Sequence, residues 1–216
     1  MTLSGARWHV IAESNFAWER EALDWLRSQL PDRDPWHVWT NFEFIDDEGR
    51  VNEVDALVLT PACMVLIEMK SRPGIVGGDA QSWTWRTDGR ELTTDNPLPL
   101  ANRKAKRLAS VLRRQEALSG RTGARIKPWV EPLIFLSKVE QRPVLDPGTA
   151  KRVVLRGQRF CCDRSRADRP PRLRCPRMSF DASKSWAAHP SRICWRDSGR
   201  ACASPPRLNL RRRSRA

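Results

Sequence analysis

Two pairs of charged residues interrupt apolar stretches of the sequence. Glu53 and Asp55 lie in the segment 51–59, and Glu68 and Lys70 lie in the segment 64–70, which reads Met-Val-Leu-Ile-Glu-Met-Lys. Side chains two residues apart on a strand share a face, so each pair should project from its strand together. Two charges in a strand that is otherwise apolar on both faces carry a free-energy cost, which favours a chemical role.

The four residues between the two segments suggest a hairpin. If Leu59 is opposite Met64, the register places Asp55 across from Glu68 and Glu53 across from Lys70. Opposed carboxylates repel, and a divalent cation between them removes the conflict. Mg²⁺ prefers a few carboxylates plus waters and leaves room for phosphate oxygens. A lysine beside it can orient or deprotonate the attacking water, or stabilise the charge that develops on a phosphate, so the pattern favours a metal site. A structural ion pair is the alternative.

Ser14 or Asn15 is predicted to cap a first helix that runs to about Leu30, where Pro31 ends it. Glu19 heads its apolar stripe, which should face the sheet and add one more carboxylate. The stripe continues with Leu23, Leu26 and Leu30.

Further elements follow in alternation. Strands are predicted at 37–45 and 133–137, a turn around Gly49, a glycine-rich loop at 73–79, and a strand with Trp83 and Trp85 on one face. A long helix should run from Pro97 to a cap at Gly120. This order predicts an α/β domain in which a mixed central sheet is flanked by helices.

The long helix carries an apolar stripe and, on another side, a basic surface. A basic helix face can contact DNA phosphates, although a solvated face is the common alternative. The candidate DNA-binding residues are Arg103, Lys104, Lys106, Arg107 and Arg114. Trp83 and Trp85 could stack on an unpaired base, but eight tryptophans lie in the first 156 residues and the core is the favoured place for both.

Charge and cysteine content divide the chain after residue 156. Residues 157–216 hold 16 of the 39 Lys and Arg residues against four Asp, five of the six cysteines, and no apolar periodicity. We expect this Arg-, Pro-, Ser- and Cys-rich tail to be disordered. It could be a basic nucleic-acid arm, a zinc site using the cysteines and His189, or an out-of-frame translation after a truncation. The first part, 1–156, is nearly neutral.

The chain offers no apolar run of about 18 residues and no secretory signal at its amino terminus. Cys63 is alone in the first part, as a reducing compartment permits. We therefore expect a soluble, cytoplasmic protein without a membrane partner.

The spacing of Asp55, Glu68 and Lys70 resembles the metal-binding motif of the PD-(D/E)xK nuclease superfamily. The surroundings, over about residues 13–118, resemble its NERD (nuclease-related) family. The matching stretches are Trp18-Glu19, residues 52–59, residues 65–71, Gly74-Ile75, Gly77-Gly78-Asp79, Trp83 and Asn96-Pro97-Leu98. The resemblance implies a restriction-endonuclease-like fold over residues 1–156 and binding of Mg²⁺ or Mn²⁺. It makes Asp55 and Glu68 metal ligands, Lys70 the catalytic lysine, Glu19 the helix carboxylate and Glu53 a supporting ligand.

Within the NERD family, the sequence resembles the amino-terminal NERD segment of kinase-like proteins of BREX-type phage defence. Trp18 departs from the glycine that often precedes the helix glutamate, and no kinase signature follows, as in a truncated fragment. The expected function is a metal-dependent DNA endonuclease, with other phage-defence proteins as partners. The rivals are a non-catalytic module that docks a larger defence or signalling protein onto DNA or a partner, and an inert fragment.

Overall fold

The computed structural model describes residues 3–114, 128–138 and 140–158, together with a two-residue strand at 211–212. In chain order, the elements are β1 (Trp8–Val10), α1 (Ala17–Gln29), β2 (His37–Ile45), β3 (Val51–Leu59), β4 (Met64–Lys70), β5 (Ile75–Gly78), β6 (Ser82–Thr87), β7 (Arg90–Asp95), α2 (Pro97–Arg113), β8 (Val130–Leu136), β9 (Arg142–Leu145), α3 (Pro147–Ala150), β10 (Val153–Leu155) and β11 (Arg211–Arg212).

The central sheet is mixed, as predicted. Its strand order is β1-β2-β3-β4-β8-β10, and β11 also pairs with β2. Strands β2, β3 and β4 form an antiparallel meander, whereas β4, β8 and β10 are parallel neighbours. A second sheet has the order β7-β6-β5-β9. Strand β4, which carries Glu68 and Lys70, therefore lies at the centre of the main sheet, where the antiparallel and parallel parts meet.

The two long helices pack on opposite faces of the central sheet. The buried residues of α1 form one apolar cluster with Ala56 and Ile67, and those of α2 form another with Leu57 and Leu66. Because neighbouring strand residues point to opposite faces, the two clusters define the α1 face and the α2 face of the sheet. The predicted stripes of both helices are buried, namely Leu23, Leu26 and Leu30 around α1 and Ala101, Ala105, Leu108 and Leu112 in α2.

Strands β2, β3 and β4 have the predicted bounds, but the predicted start of α1 is wrong. Phe16 is the N-cap and makes no side-chain cap hydrogen bond. The hydroxyl of Ser14 is used elsewhere, since it donates to the Glu19 carboxylate and accepts the Phe16 N–H. Helix α2 ends at Arg113, with Arg114 as its C-cap. The predicted cap at Gly120 lies outside the described residues.

The glycine-rich segment predicted as a loop contains strand β5. It pairs with β6 and β9, and its glycines permit a close approach. A Cβ on Gly78 would lie 2.2 Å from the Ser82 carbonyl oxygen and 2.7 Å from Trp83 Cδ1. Trp83 and Trp85 are core residues of the α2-side cluster, which confirms the prediction that both are buried.

The predictions for residues 157–216 fall almost wholly outside the described residues. This applies to the expected disorder, to the zinc alternative with His189, and to the other cysteines of the tail. The exceptions are Gly157 and Gln158, which follow β10, and Arg211–Arg212, whose backbone pairs antiparallel with Phe42 and Glu43 of β2. Strand β10 is formed by the apolar run of Val153, Val154 and Leu155.

Candidate functional site

The β3–β4 hairpin has the predicted register as far as its backbone ladder extends, but the predicted pairs Asp55–Glu68 and Glu53–Lys70 lie beyond the last paired residues. Its ladder runs from Leu59 opposite Met64 to Ala56 opposite Ile67. Beyond that pair, Oδ2 of Asp55 accepts the backbone N–H of Met69 at 2.8 Å. The carboxylate thus takes the place that a strand carbonyl would have, and it ties β3 to β4 next to Glu68. Asp55 is buried, at 6% exposure.

Glu68 is held between two lysines. Its Oε2 lies 2.8 Å from Nζ of Lys104 on α2, and its Oε1 lies 3.3 Å from Nζ of Lys70. Alternation places Glu68 and Lys70 on the α2 face, which is why α2 can supply the second lysine. Burial alone would raise the pKa of Glu68, but the positive charges and hydrogen bonds of Lys104 and Lys70 outweigh it and lower that pKa. Glu68 is therefore ionised at neutral pH.

The other two predicted carboxylates lie apart from this pair. Glu19 is buried in the first turn of α1, where its Oε2 accepts a hydrogen bond of 2.5 Å from Ser14 Oγ. Glu53 is exposed and stands opposite Glu43 in the β2–β3 ladder. Among the described residues, no three His, Cys, Asp or Glu side chains form a group that could hold a metal ion. Glu53 and Glu19 therefore do not complete a three-carboxylate site with Asp55 and Glu68.

The remaining pair is compatible with Mg²⁺ in donor chemistry. Mg²⁺ is held by one or two carboxylates together with waters and substrate phosphates, and it does not need an all-protein cage. Asp55 and Glu68 supply hard carboxylate oxygens from neighbouring strands. Both oxygens of Glu68, however, already bind an ammonium group, so an ion would have to compete with Lys70 or Lys104 for them.

The basic residues of α2 differ in burial and in their ion-pair partners. Lys104 is 9% exposed and belongs to the Glu68 ion pair, so it is not part of an exposed basic surface. Arg107 lies 3.1 Å from an Asp46 carboxylate oxygen and donates to Asn52 Oδ1. Arg114 pairs with Asp47. Of the five predicted DNA-binding residues, Arg103 and Lys106 remain exposed on α2 without such a pairing to the β2–β3 turn.

The role of Lys104 had a readable signal in the sequence. It follows Ala101 by three residues and precedes Leu108 by four, so it lies within the apolar stripe of α2. A lysine in a buried stripe needs an acidic partner on the facing sheet. Glu68 is such an acid on the central strand.

A cleft of about 790 Å³ opens beside Lys70. Its walls come from Trp18 of α1, the end of β4 and the residues after it, Trp83 and Trp85 of β6, and the first turns of α2 up to Arg103. Lys70 therefore connects the buried Asp55–Glu68 region to a space that a substrate could enter.

Residues 14–137 match the family model of the nuclease-related domain. This match covers more than half of the chain and includes Asp55, Glu68 and Lys70, so the chain belongs to the nuclease-related domain (NERD) family. Over 107 residues it is 45% identical to a protein named probable kinase PglW from Streptomyces coelicolor. That alignment covers 49% of this chain and 7% of the relative.

The chain thus corresponds to a small part of that relative's length. No solved structure matches the chain. None of the helices in the described part of the chain is long and apolar enough to cross a membrane.

Proposed function

We propose that this domain hydrolyses phosphodiester bonds of DNA in a reaction that depends on Mg²⁺ or Mn²⁺. The observation that carries the proposal is the buried, ionised Glu68 beside Asp55 on neighbouring strands, with Lys70 at the wall of an open cleft. Membership of a nuclease-related family supports the same chemistry.

Each residue has a separate role in this proposal. Asp55 and Glu68 would hold the ion, and the Met69 N–H fixes the direction of the Asp55 carboxylate. A bound ion would polarise the scissile phosphate and lower the pKa of a water molecule. Lys70 would place its ammonium beside the phosphate that enters the cleft and stabilise the charge that develops on it. Lys104 would keep Glu68 oriented from the opposite side.

A docking module is the second candidate, and one observation favours it. Glu68 is satisfied by two lysines without any ion, so the cluster is stable as a structural feature. In that case the domain would bring a larger protein to DNA or to a partner protein. We further propose that the protein is cytoplasmic and acts in phage defence. This proposal is supported by the resemblance to BREX-type proteins and by the similarity to the relative named PglW.

The test is cleavage by the full chain of linear duplex, nicked and single-stranded DNA, each with Mg²⁺ and with Mn²⁺. Lys70→Met should lower the cleavage rate by roughly 10²- to 10³-fold, the usual loss when one charge-stabilising donor is removed. Asp55→Asn keeps an oxygen for the Met69 N–H but weakens metal binding, so it should lose cleavage while the fold persists. The exposed Lys151→Met is the matched control and should cut like the wild type.

Melting with increasing Mg²⁺ separates binding from chemistry. A ligand that binds the folded state raises stability by mass action, so the wild type should gain melting temperature and Asp55→Asn should not. Wild-type protein that binds DNA without cutting any substrate, together with a Lys70→Met variant that behaves identically, would leave the docking module as the function.

A further inference from the structure

The cleft beside Lys70 combines positive charge with aromatic surface. Among the described residues, Lys70, Arg72 and Arg103 line it, against one acidic residue, Asp95. Arg72 and Arg103 are exposed, so both guanidinium groups can meet a ligand that enters from solvent. This excess of positive charge suits a ligand that carries several phosphates.

The positive charge comes from side chains and not from the helix terminus. Helix α2 begins at the cleft, but Pro97 and Pro99 have no N–H. The N–H of Leu98 is donated to the side chain of Asn96. Few free backbone donors therefore remain at this end of α2, and recognition of an anion depends on the lysine and the arginines.

An aromatic stack stands at one wall of the cleft. Trp18 lines the cleft, and its ring is stacked on Phe16 with 5.7 Å between ring centroids and 25° between planes. Phe16 is 54% exposed, although it is large and apolar. Trp18 itself is half-buried, and stacking on accessible aromatic rings is how proteins hold unpaired bases without regard to sequence.

A buried donor in the lining of the cleft has no partner among the described residues. Trp83 lines the cleft and is fully buried, and among the described residues its indole Nε1 makes no hydrogen bond. A buried N–H without an acceptor carries a free-energy cost, and such groups need an explanation. An oxygen atom of a ligand bound in the cleft could serve as that acceptor.

The size of the cleft limits what can occupy it. A volume of about 790 Å³ is in the range of pockets for small ligands, roughly 300–1,000 Å³. Such a space can take one or a few nucleotides whose bases are free to leave a stack. In a duplex the bases are paired and turned inward, so they cannot reach Trp18.

From these observations we propose that the cleft binds an unpaired stretch of a DNA strand. One base stacks on Trp18, Arg72 and Arg103 contact phosphates, and the strand continues to Lys70. The inference rests on the proposed function and adds to it the strandedness of the substrate. It concerns binding, so it can be tested when no cleavage takes place.

The first experiment measures binding of the full chain in EDTA to fluorescently labelled oligothymidylate and to a duplex of equal length. Trp18→Ala should weaken binding of the single strand roughly 5- to 150-fold, the loss of one stacked base, and leave duplex binding unchanged. Trp18→Phe should recover most of the affinity because it restores a stacking ring. The control is Trp129→Ala, which removes an exposed tryptophan outside the cleft.

A second experiment tests the phosphate contacts. Arg103→Ala should reduce the slope of log affinity against log salt concentration for the single strand by about 0.7, the value for one phosphate contact. Arg113→Ala on the same helix is the control, because Arg113 is exposed and does not line the cleft. An oligonucleotide with a photoreactive base should cross-link to Trp18 or Phe16.

The outcomes distinguish this inference from the proposed function. Binding that depends on Trp18, in a protein that cuts no DNA, supports the inference and rejects the nuclease. Equal affinities of Trp18→Ala and Trp129→Ala, or equal losses for single strand and duplex, would overturn it even in a protein that cuts. Cross-links confined to residues 159–216 would overturn it as well, and binding of oligouridylate but not oligothymidylate would exclude DNA as the ligand.

Discussion

The ion pair between Glu68 and Lys104 should be a large single contribution to the stability of this domain. Both side chains are nearly inaccessible, at 12% and 11% exposure, and their charged atoms are 2.8 Å apart. Glu68→Gln keeps the shape of the side chain but leaves the Lys104 ammonium buried without its counter-charge. Removing one partner of a buried pair costs about 3–5 kcal/mol, so we expect a loss of that size in the free energy of unfolding.

Because Glu68 also contacts Lys70, the expected losses of stability differ between Glu68→Gln and Lys104→Met. After Lys104→Met, Glu68 still has Lys70 at 3.3 Å, and Lys70 is partly exposed. The expected loss is therefore smaller, about 1.5–3 kcal/mol, which is typical of one hydrogen bond to a charged group. The double variant Glu68→Gln/Lys104→Met leaves no buried unpaired ammonium, so it should be less destabilised than Glu68→Gln alone.

An exposed ion pair of this protein provides the control. Arg86 and Glu91 are 2.6 Å apart, but their side chains are 63% and 60% exposed. Their coupling in a double-mutant cycle should be at most about 1 kcal/mol, as for other surface pairs. The assay is urea denaturation at pH 7, followed by tryptophan fluorescence. The argument from burial is refuted if the free energy of unfolding of Glu68→Gln is within about 1 kcal/mol of the wild-type value. It is also refuted if the Glu68–Lys104 and Arg86–Glu91 double-mutant cycles give equal coupling energies.

Three further predictions concern stability around the site. Asp55→Ala should lower the free energy of unfolding by about 1–3 kcal/mol because the Met69 N–H loses its acceptor, whereas Asp55→Asn should cost less; equal losses in urea denaturation would contradict this. Burial, with the charges of His9 and Arg7, lowers the pKa of His37 from 6.5 to about 4. The unfolded chain therefore takes up a proton at higher pH than the folded protein, and stability should fall as the pH drops from 6.5 towards 4; melting scans should show a smaller fall for His37→Gln, and parallel curves would reject the role of His37. Gly78→Ala should cost about 1–3 kcal/mol because its Cβ would clash with Ser82 and Trp83, while the neighbouring Gly77→Ala, whose nearest contact is 3.7 Å, should be mild in the same assay; comparable losses would show that the clash is relieved elsewhere.

The strands that carry the charged residues could be read from the sequence. The bounds of β2, β3 and β4 follow from alternation and from turn residues within one short window, and the hairpin register follows from the four-residue loop. The charged residues of β3 and β4 stand out because charges are rare in such strands. The buried faces of α1 and α2 also follow from local periodicity. These features depend on residues that are close together in the sequence, so the local sequence alone determines them.

The partners of those residues depend on contacts between distant segments. Lys104 is 36 residues from Glu68. Its place in the apolar stripe of α2 is local, but its pairing with Glu68 depends on α2 packing on the face of β4 that carries Glu68. The cleft likewise combines Trp18, Lys70 and Arg103 from three elements. Strand β5 was missed because its pairing with β6 and β9 overrides the loop preference of its glycines. Local sequence patterns indicate which face of a helix or strand is buried. Only tertiary packing decides which element covers that face, because the arrangement must bury all the apolar surfaces together.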